Sequence, residues 1–276
     1  MHFHSLWQLL GRRAALCLLF AAGQAACADE VLRVSGTGSG TGGMKLVATA
    51  FMAANSGVRV EVLRAMGSSG GINALIDGLL EVGVSNRLPN ANELAKAPLV
   101  SIEYARTPFI VAVHRDLGVT AITSTQLAGL YAEGAVNFPN GKRARPVLRL
   151  SDATDTQLLQ SFSPEVAAAL DAVAKRRGML NANTDTEAAD LAETTAGAFT
   201  ANTLALIESE KRALVALTVD GKVPSVANLA NGSYPYFKSL FVIVGPKSGA
   251  NAQKFVAFIQ STAGRELLST HGHWMR

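Results

Sequence analysis

Hydroxyl groups and glycines gather at three points of this 276-residue chain, and together they suggest a bed for an oxyanion. In Gly67-Ser68-Ser69-Gly70-Gly71, two hydroxyls stand among glycines that let the backbone come close to a ligand. The run Gly36-Thr37-Gly38-Ser39-Gly40-Thr41-Gly42-Gly43 has the same character, and Gly83-Val84-Ser85-Asn86-Arg87 ends in side chains that could close on the same ligand. Arg149 stands just ahead of a polar run from Ser151 to Thr156, and a guanidinium there offers a planar donor fork suited to an oxyanion. The plainer readings are a flexible turn for the glycine run and a solvated surface group for Arg87.

These groups need elements to aim them. The β-branched run Val58 to Leu63 predicts a strand ahead of the first cluster, and Ile72, Leu75, Ile76 and Leu79 fall at helical spacing behind it. The cluster therefore lies where a strand turns into a helix, and the first N–H groups of that helix point outward with the positive end of its dipole. The second glycine run follows a strand, Val31 to Ser35, and precedes an apolar helical run, Met44 to Phe51. It is not a phosphate-binding loop of the Gly-Lys-Ser/Thr type, and no acid ends the next strand as a dinucleotide fingerprint requires.

Gly67-Ser68-Ser69-Gly70-Gly71 also matches a Gly-x-Ser-x-Gly nucleophile elbow centred on Ser69, which keeps a serine hydrolase in play. Asp220 followed by His271 or His273 has the order such an enzyme needs. Against it, His114 ends a strand and the other two flank Gly272 in the C-terminal tail. His271 and His273 have no Cys, Asp or Glu cluster at ligand spacing, so neither a metal nor another cofactor is expected.

Further strands are expected over Pro108 to His114, Ala213 to Val219 and Ser239 to Val244, and their alternation with helices reads as α/β with mainly parallel sheets. Ser163 as cap and Pro164 at the first position begin a helix with Val166, Leu170 and Val173 inward, closed by Lys175-Arg176-Arg177 and Gly178. A second helix runs from Ala252 to about Ile259, and a third is expected near Ala188 to Thr195 within an Asn-, Thr- and Ala-rich stretch.

At the N-terminus, Arg12-Arg13, the apolar run Ala14 to Ala22 and Ala26-Cys27-Ala28 make a secretory signal peptide over residues 1–28, too short to span a bilayer. Both cysteines, Cys17 and Cys27, leave with it, and Gln24 stands where a lipoprotein signal normally has an aliphatic residue. The remaining 248 residues carry 23 basic and 21 acidic side chains, a balance that argues against a nucleic-acid surface.

Five segments, in order, carry a resemblance to the type II periplasmic binding proteins of phosphate-specific ABC transporters. They are Ser35 to Ser39; Gly67 to Gly71 with Gly83 to Arg87; Thr123 to Leu127 with Leu130-Tyr131 and Gly134; Val219 to Pro224 with Asn231 to Pro235; and Phe255 to Leu268. The resemblance implies a two-lobed α/β fold with two crossover strands. Lobe I would take residues 29–112 and 235–276, and lobe II residues 113–234. It also implies a monomeric periplasmic protein that holds a phosphate-like oxyanion in the cleft and delivers it to a membrane ABC permease. By position, Ser39, Ser68 and Asn86 would touch the ligand from the first lobe and Arg149 from the second, with Ser69, Ser85, Arg87 and Thr154 as further candidates. Two departures favour a relative with no transport role, a sensor or scaffold. Asn86 replaces a proton-accepting Asp or a Ser, and Ala153-Thr154-Asp155 replaces Ser-Gly-Thr, bringing a carboxylate that would repel an anion if it faced the cleft.

Overall fold

The computed structural model describes residues 30–132, 136–151 and 153–276. Residues 1–28, expected from the sequence to be a signal peptide, lie outside the described residues, as do both cysteines and Gly134. The chain begins β1 (Glu30–Gly36), α1 (Gly38–Ala54), β2 (Val58–Val62), α2 (Gly67–Asp77), β3 (Val82–Ser85), α3 (Ala91–Lys96) and the long β4 (Val100–His114). It continues through β5 (Ala121–Ile122), α4 (Ser124–Leu130), β6 (Arg145–Leu148), α5 (Thr154–Gln160), α6 (Pro164–Val173), β7 (Leu180–Asn181), α7 (Asp185–Thr194), β8 (Ala198–Thr203), α8 (Leu204–Ser209), β9 (Leu214–Ala216), β10 (Thr218–Val219) and α9 (Val226–Ala230). It ends with β11 (Phe237–Val244), α10 (Ala250–Gln260), α11 (Thr262–Ser269) and β12 (Trp274–Met275).

The main sheet runs β2-β1-β3-β11-β4-β8-β6-β7, with β9 and β12 also on β4. The expected mainly parallel pairing is corrected to a mixed one. β1 is parallel to β2 and β3, and β6 to β7 and β8, but β11 and β4 run antiparallel to their neighbours. Two returning strands between parallel units cause this, because each enters the sheet from the opposite end. β4 belongs to both halves: Val100 to Pro108 pairs with β11, and Phe109 to Val113 with β8. Each half has its own buried core. Leu32, Val34, Phe51, Val84 and Phe255 lie in one, and Val111, Leu127, Phe138, Val166 and Phe199 in the other.

Local rules account for several elements. Ser163 Oγ accepts from Val166 N at 3.2 Å and Pro164 opens α6, with Val166, Leu170 and Val173 buried. The helix ends at Val173, so Lys175 to Arg177 lie beyond it. The glycine run read as a loop after β1 is corrected: only Gly36 and Thr37 are non-helical, and Gly38 to Gly43 form the first turns of α1. Bare backbone is needed there because a Cβ on Gly43 would lie 2.9 Å from the His273 ring. The strand expected over Ala213 to Val219 is two, β9 and β10, interrupted at the fully buried Leu217.

Candidate functional site

The strand order β2-β1-β3 places the C-terminal ends of three parallel strands side by side, with connections leaving to either side, and such a crevice is where open α/β sheets take ligands. β1 delivers the start of α1 there. Gly36 has φ +149°, and a Cβ on it would lie 1.8 Å from Val84 O, so only glycine lets β1 and β3 close at this point. Thr37 N then donates to that same carbonyl at 2.9 Å. From the other half, β6 ends at Leu148 and delivers Arg149, while α5 and α7 begin nearby.

At the centre lies a buried ionic network. Asp185, the first residue of α7, accepts on one oxygen from Thr37 Oγ1 (3.0 Å), Ser39 N (2.9 Å) and Ser39 Oγ (2.6 Å). Its other oxygen accepts from Arg149 Nη1 and from Lys238 Nζ, each at 3.2 Å. Lys238, on β11, also donates to Asp155 Oδ1 at 2.8 Å, and its side chain is 0% exposed. Arg149 Nη2 stands 3.9 Å from Asp155 and donates to Asn183 O at 3.2 Å, while its Nε has no partner among the described residues. Two cations thus face two carboxylates and the charges cancel. Burial acts to raise both carboxyls. For Asp185 the charges of Lys238 and Arg149, with the hydroxyls of Ser39 and Thr37, outweigh burial and hold it far below the usual carboxylate range. For Asp155, burial and the neighbouring Asp185 prevail over Lys238 and Arg149 and push it up.

Beside this network opens a cavity of about 360 Å³ between the start of α2 and the start of α5. Gly67 to Gly70 line one wall, and no side chain caps α2, so its first N–H groups are available to a ligand. Ser68 Oγ donates to Asn86 Oδ1 at 2.9 Å and accepts from Asn86 N at 3.0 Å. With its oxygen so engaged, Asn86 has its amide NH₂ to offer a ligand. Arg149, Thr154, Asp155 and Asp185 line the facing wall.

The candidate residues therefore separate. Ser68, Ser69, Asn86, Arg87, Arg149 and Thr154 come together around the cavity, whereas Ser39 and Ser85 do not line it. Ser39 is turned onto Asp185. Ser85 is fully buried, its Oγ donating to Arg87 O and accepting from Arg87 N, which fixes the loop after β3. Arg87 is not a free cation: both guanidinium ends bond Glu93 at 2.8 Å, and Nη2 also donates to Ser69 Oγ at 2.8 Å. That bond, rather than one to a base, is what Ser69 makes. Asp220 accepts from Ser124 N, and the rings of His271 and His273 bond backbone carbonyls of Leu267, Leu268 and His271, so the hydrolase triad is not assembled. Asp155 does reach the cleft, but Lys238 covers one of its oxygens. Sequence reading missed Thr37, Asp185 and Lys238. The signal for Lys238 was its place in a largely apolar strand, Phe237 to Val244, where a lysine needs a buried partner.

Residues 21–263 match the family model described as the PBP superfamily domain. A curated relative, the phosphate-binding protein PstS of Bacillus subtilis (strain 168), is 23% identical over 236 residues, which is 85% of this chain and 76% of the relative. A structure from Clostridium perfringens, described as a phosphate ABC transporter substrate-binding protein with bound phosphate, superposes with a TM-score of 0.71 at 19% identity, covering 90% of this chain and 100% of that one. The periplasmic molybdate-binding protein of Azotobacter vinelandii does so with a TM-score of 0.60 at 15% identity, covering 89% of this chain and 99% of that one. At these identities the solved structures establish the fold, the two-lobed type II architecture, and not the ligand. With the family model spanning nearly the whole described chain on top of that shared fold, the chain belongs to the PBP superfamily of binding proteins.

Proposed function

We propose that the chain is a solute-binding protein that captures a small oxyanion, phosphate being the leading candidate, and presents it to a membrane ABC permease. The observation that carries this reading is the uncapped start of α2 facing Arg149 across a cavity of about 360 Å³. Backbone N–H groups, the Asn86 amide, the Ser69 hydroxyl and the guanidinium would neutralise the ligand without a metal or cofactor. The names of the Bacillus and Clostridium proteins, both phosphate binders, support the same choice. The working unit in this reading is a monomer exported by residues 1–28. Its lobes are residues 29–112 with 235–276, and residues 113–234, and their closure expels water and strengthens each bond to the ligand.

The charge balance refines the ligand. Because two cations already face two carboxylates, a dianion would leave the cleft strongly negative, and a singly charged, protonated oxyanion is the better guest. Asp155 lines the cavity with only one oxygen hydrogen-bonded among the described residues, by Lys238, and its other oxygen can accept an O–H group of such a guest. Calorimetric titration of the mature protein is expected to give binding of phosphate and arsenate, no binding of sulfate, and loss of binding in Arg149→Ala. Absence of heat with every oxyanion at millimolar concentration would remove the transport reading. It would favour the second one, a sensor or scaffold of the same fold, to which the self-satisfied network around Asp185 already points.

A further inference from the structure

At the start of α1, Thr37 Oγ1, Ser39 N and Ser39 Oγ all donate to Asp185. Its five bonds come from a helix start, two hydroxyls, a guanidinium and an ammonium, which is the set of partners an ionised solute would require. The carboxylate arrives from a distant part of the chain, 146 residues from Ser39 in sequence, and its backbone is itself pinned. Asp185 O accepts from Asn202 Nδ2 at 3.0 Å, and Thr184 Oγ1 caps α7 by accepting from Glu187 N at 3.1 Å. Asp155 is a natural contrast. It is as buried, but among the described residues its side chain's only hydrogen bond is from Lys238.

We propose that Asp185 is a tethered carboxylate ligand that fills the inner seat of the cleft and latches α7 to α1 and β11, so that a solute binds fully only by displacing it. This rests on the oxyanion reading above for the identity of the displacing solute, but the latch itself does not need one. A tethered rival acts at millimolar or higher effective concentration, and it lowers the apparent affinity by the fraction of molecules in which the seat is vacant. It also sets specificity, since solutes with fewer acceptor oxygens than a phosphate-like oxyanion gain too little to evict it.

The test compares phosphate titrations of the mature wild-type protein, Asp185→Ala, Asp185→Asn and Asp155→Asn, together with small-angle scattering of each without solute. Asp185→Ala is expected to bind phosphate at least about tenfold more tightly than wild type, as a seat vacated from under 10% to nearly full availability requires. Its solute-free radius of gyration should exceed that of wild type and return on adding phosphate. Asp185→Asn should shift the same way by less, and it carries the test if the alanine variant does not fold. An unchanged affinity and unchanged dimensions in both Asp185 variants would overturn the latch while leaving oxyanion binding intact. An equal gain in Asp155→Asn would also overturn it, by showing that charge rather than occupancy matters. If no form binds phosphate yet Asp185→Ala expands, the latch stands and the oxyanion reading falls.

Discussion

Lys238→Met isolates the cation on which the buried network depends. The wild-type ammonium is 2.8 Å from Asp155, 3.2 Å from Asp185 and 3.4 Å from Ser39 Oγ, with no solvent to replace it. At an effective dielectric of about 20, each ion contact near 3 Å has a Coulomb scale of roughly 5 kcal/mol, most of it offset by the desolvation of the charges. Met fills the volume but leaves two carboxylates against Arg149 alone, so the expected cost at neutral pH is about 3–5 kcal/mol, the range for breaking a buried pair. For a protein of this size that is a fall in melting temperature of roughly 6–20 °C. The deficit should shrink as pH falls, because Asp155, already raised by burial and by Asp185, takes up a proton and removes one uncompensated charge. Adding Asp155→Asn to Lys238→Met should restore more than half of the loss, since both partners of the shorter contact are then neutral. Thermal and urea melts of the three variants between pH 5 and pH 8 measure this. A Lys238→Met protein melting within about 2 °C of wild type, or a double variant no better than the sum of the singles, would refute the reasoning.

Two other substitutions test the frame around the cleft. His273 is buried, and desolvation lowers its pKa from 6.5 to about 4 against the raising effect of its carbonyl partners. Below pH 6.5 the unfolded chain therefore takes up a proton that the folded one refuses, and stability should fall by about 3 kcal/mol on going down to pH 4. His273→Phe should lack this part of the acid slope in urea melts, and parallel pH curves for the two proteins would contradict it. Gly36→Ala should cost at least about 3 kcal/mol by prying β1 from β3. Gly57→Ala, also at positive φ but with nothing within 4 Å of its Cβ, should cost only about 1 kcal/mol. Comparable melts for these two variants would show that the close contact at Val84 O is not what fixes Gly36.

Elements with complete local punctuation were legible in the sequence. α6 announces itself through Ser163, Pro164 and three inward aliphatics, and β1 and β2 through runs of Val and Leu. β8 was not, because five of the six residues from Ala198 to Thr203 are small or polar and only Phe199 is large and apolar, so the strand is recognisable from its pairing with β4 and β6 rather than from a hydrophobic run. The start of α1 reads as a loop because glycine disfavours a helix, yet close packing against Thr186, Ser209 and His273 forces small residues there. At the site, the convergence of Ser68, Ser69, Asn86, Arg149 and Thr154 followed from motif order. What occupies Ser39 did not. Asp185 sits behind Thr184 and ahead of Glu187, a pattern that an ordinary helix cap explains fully, and only the fold brings its carboxylate to the far side of the crevice.

The fifteen-residue strand β4 also governs how this protein can be dissected. Its backbone is hydrogen-bonded first into one half and then, without a break, into the other, so no cut in a connecting loop separates two self-sufficient pieces. A fragment that retains β4 but lacks β8 would bare Phe109 to Val113, five consecutive apolar residues that β8 covers. That is a sticky sheet edge, and recombinant fragments cut this way are headed for aggregates rather than for a folded half.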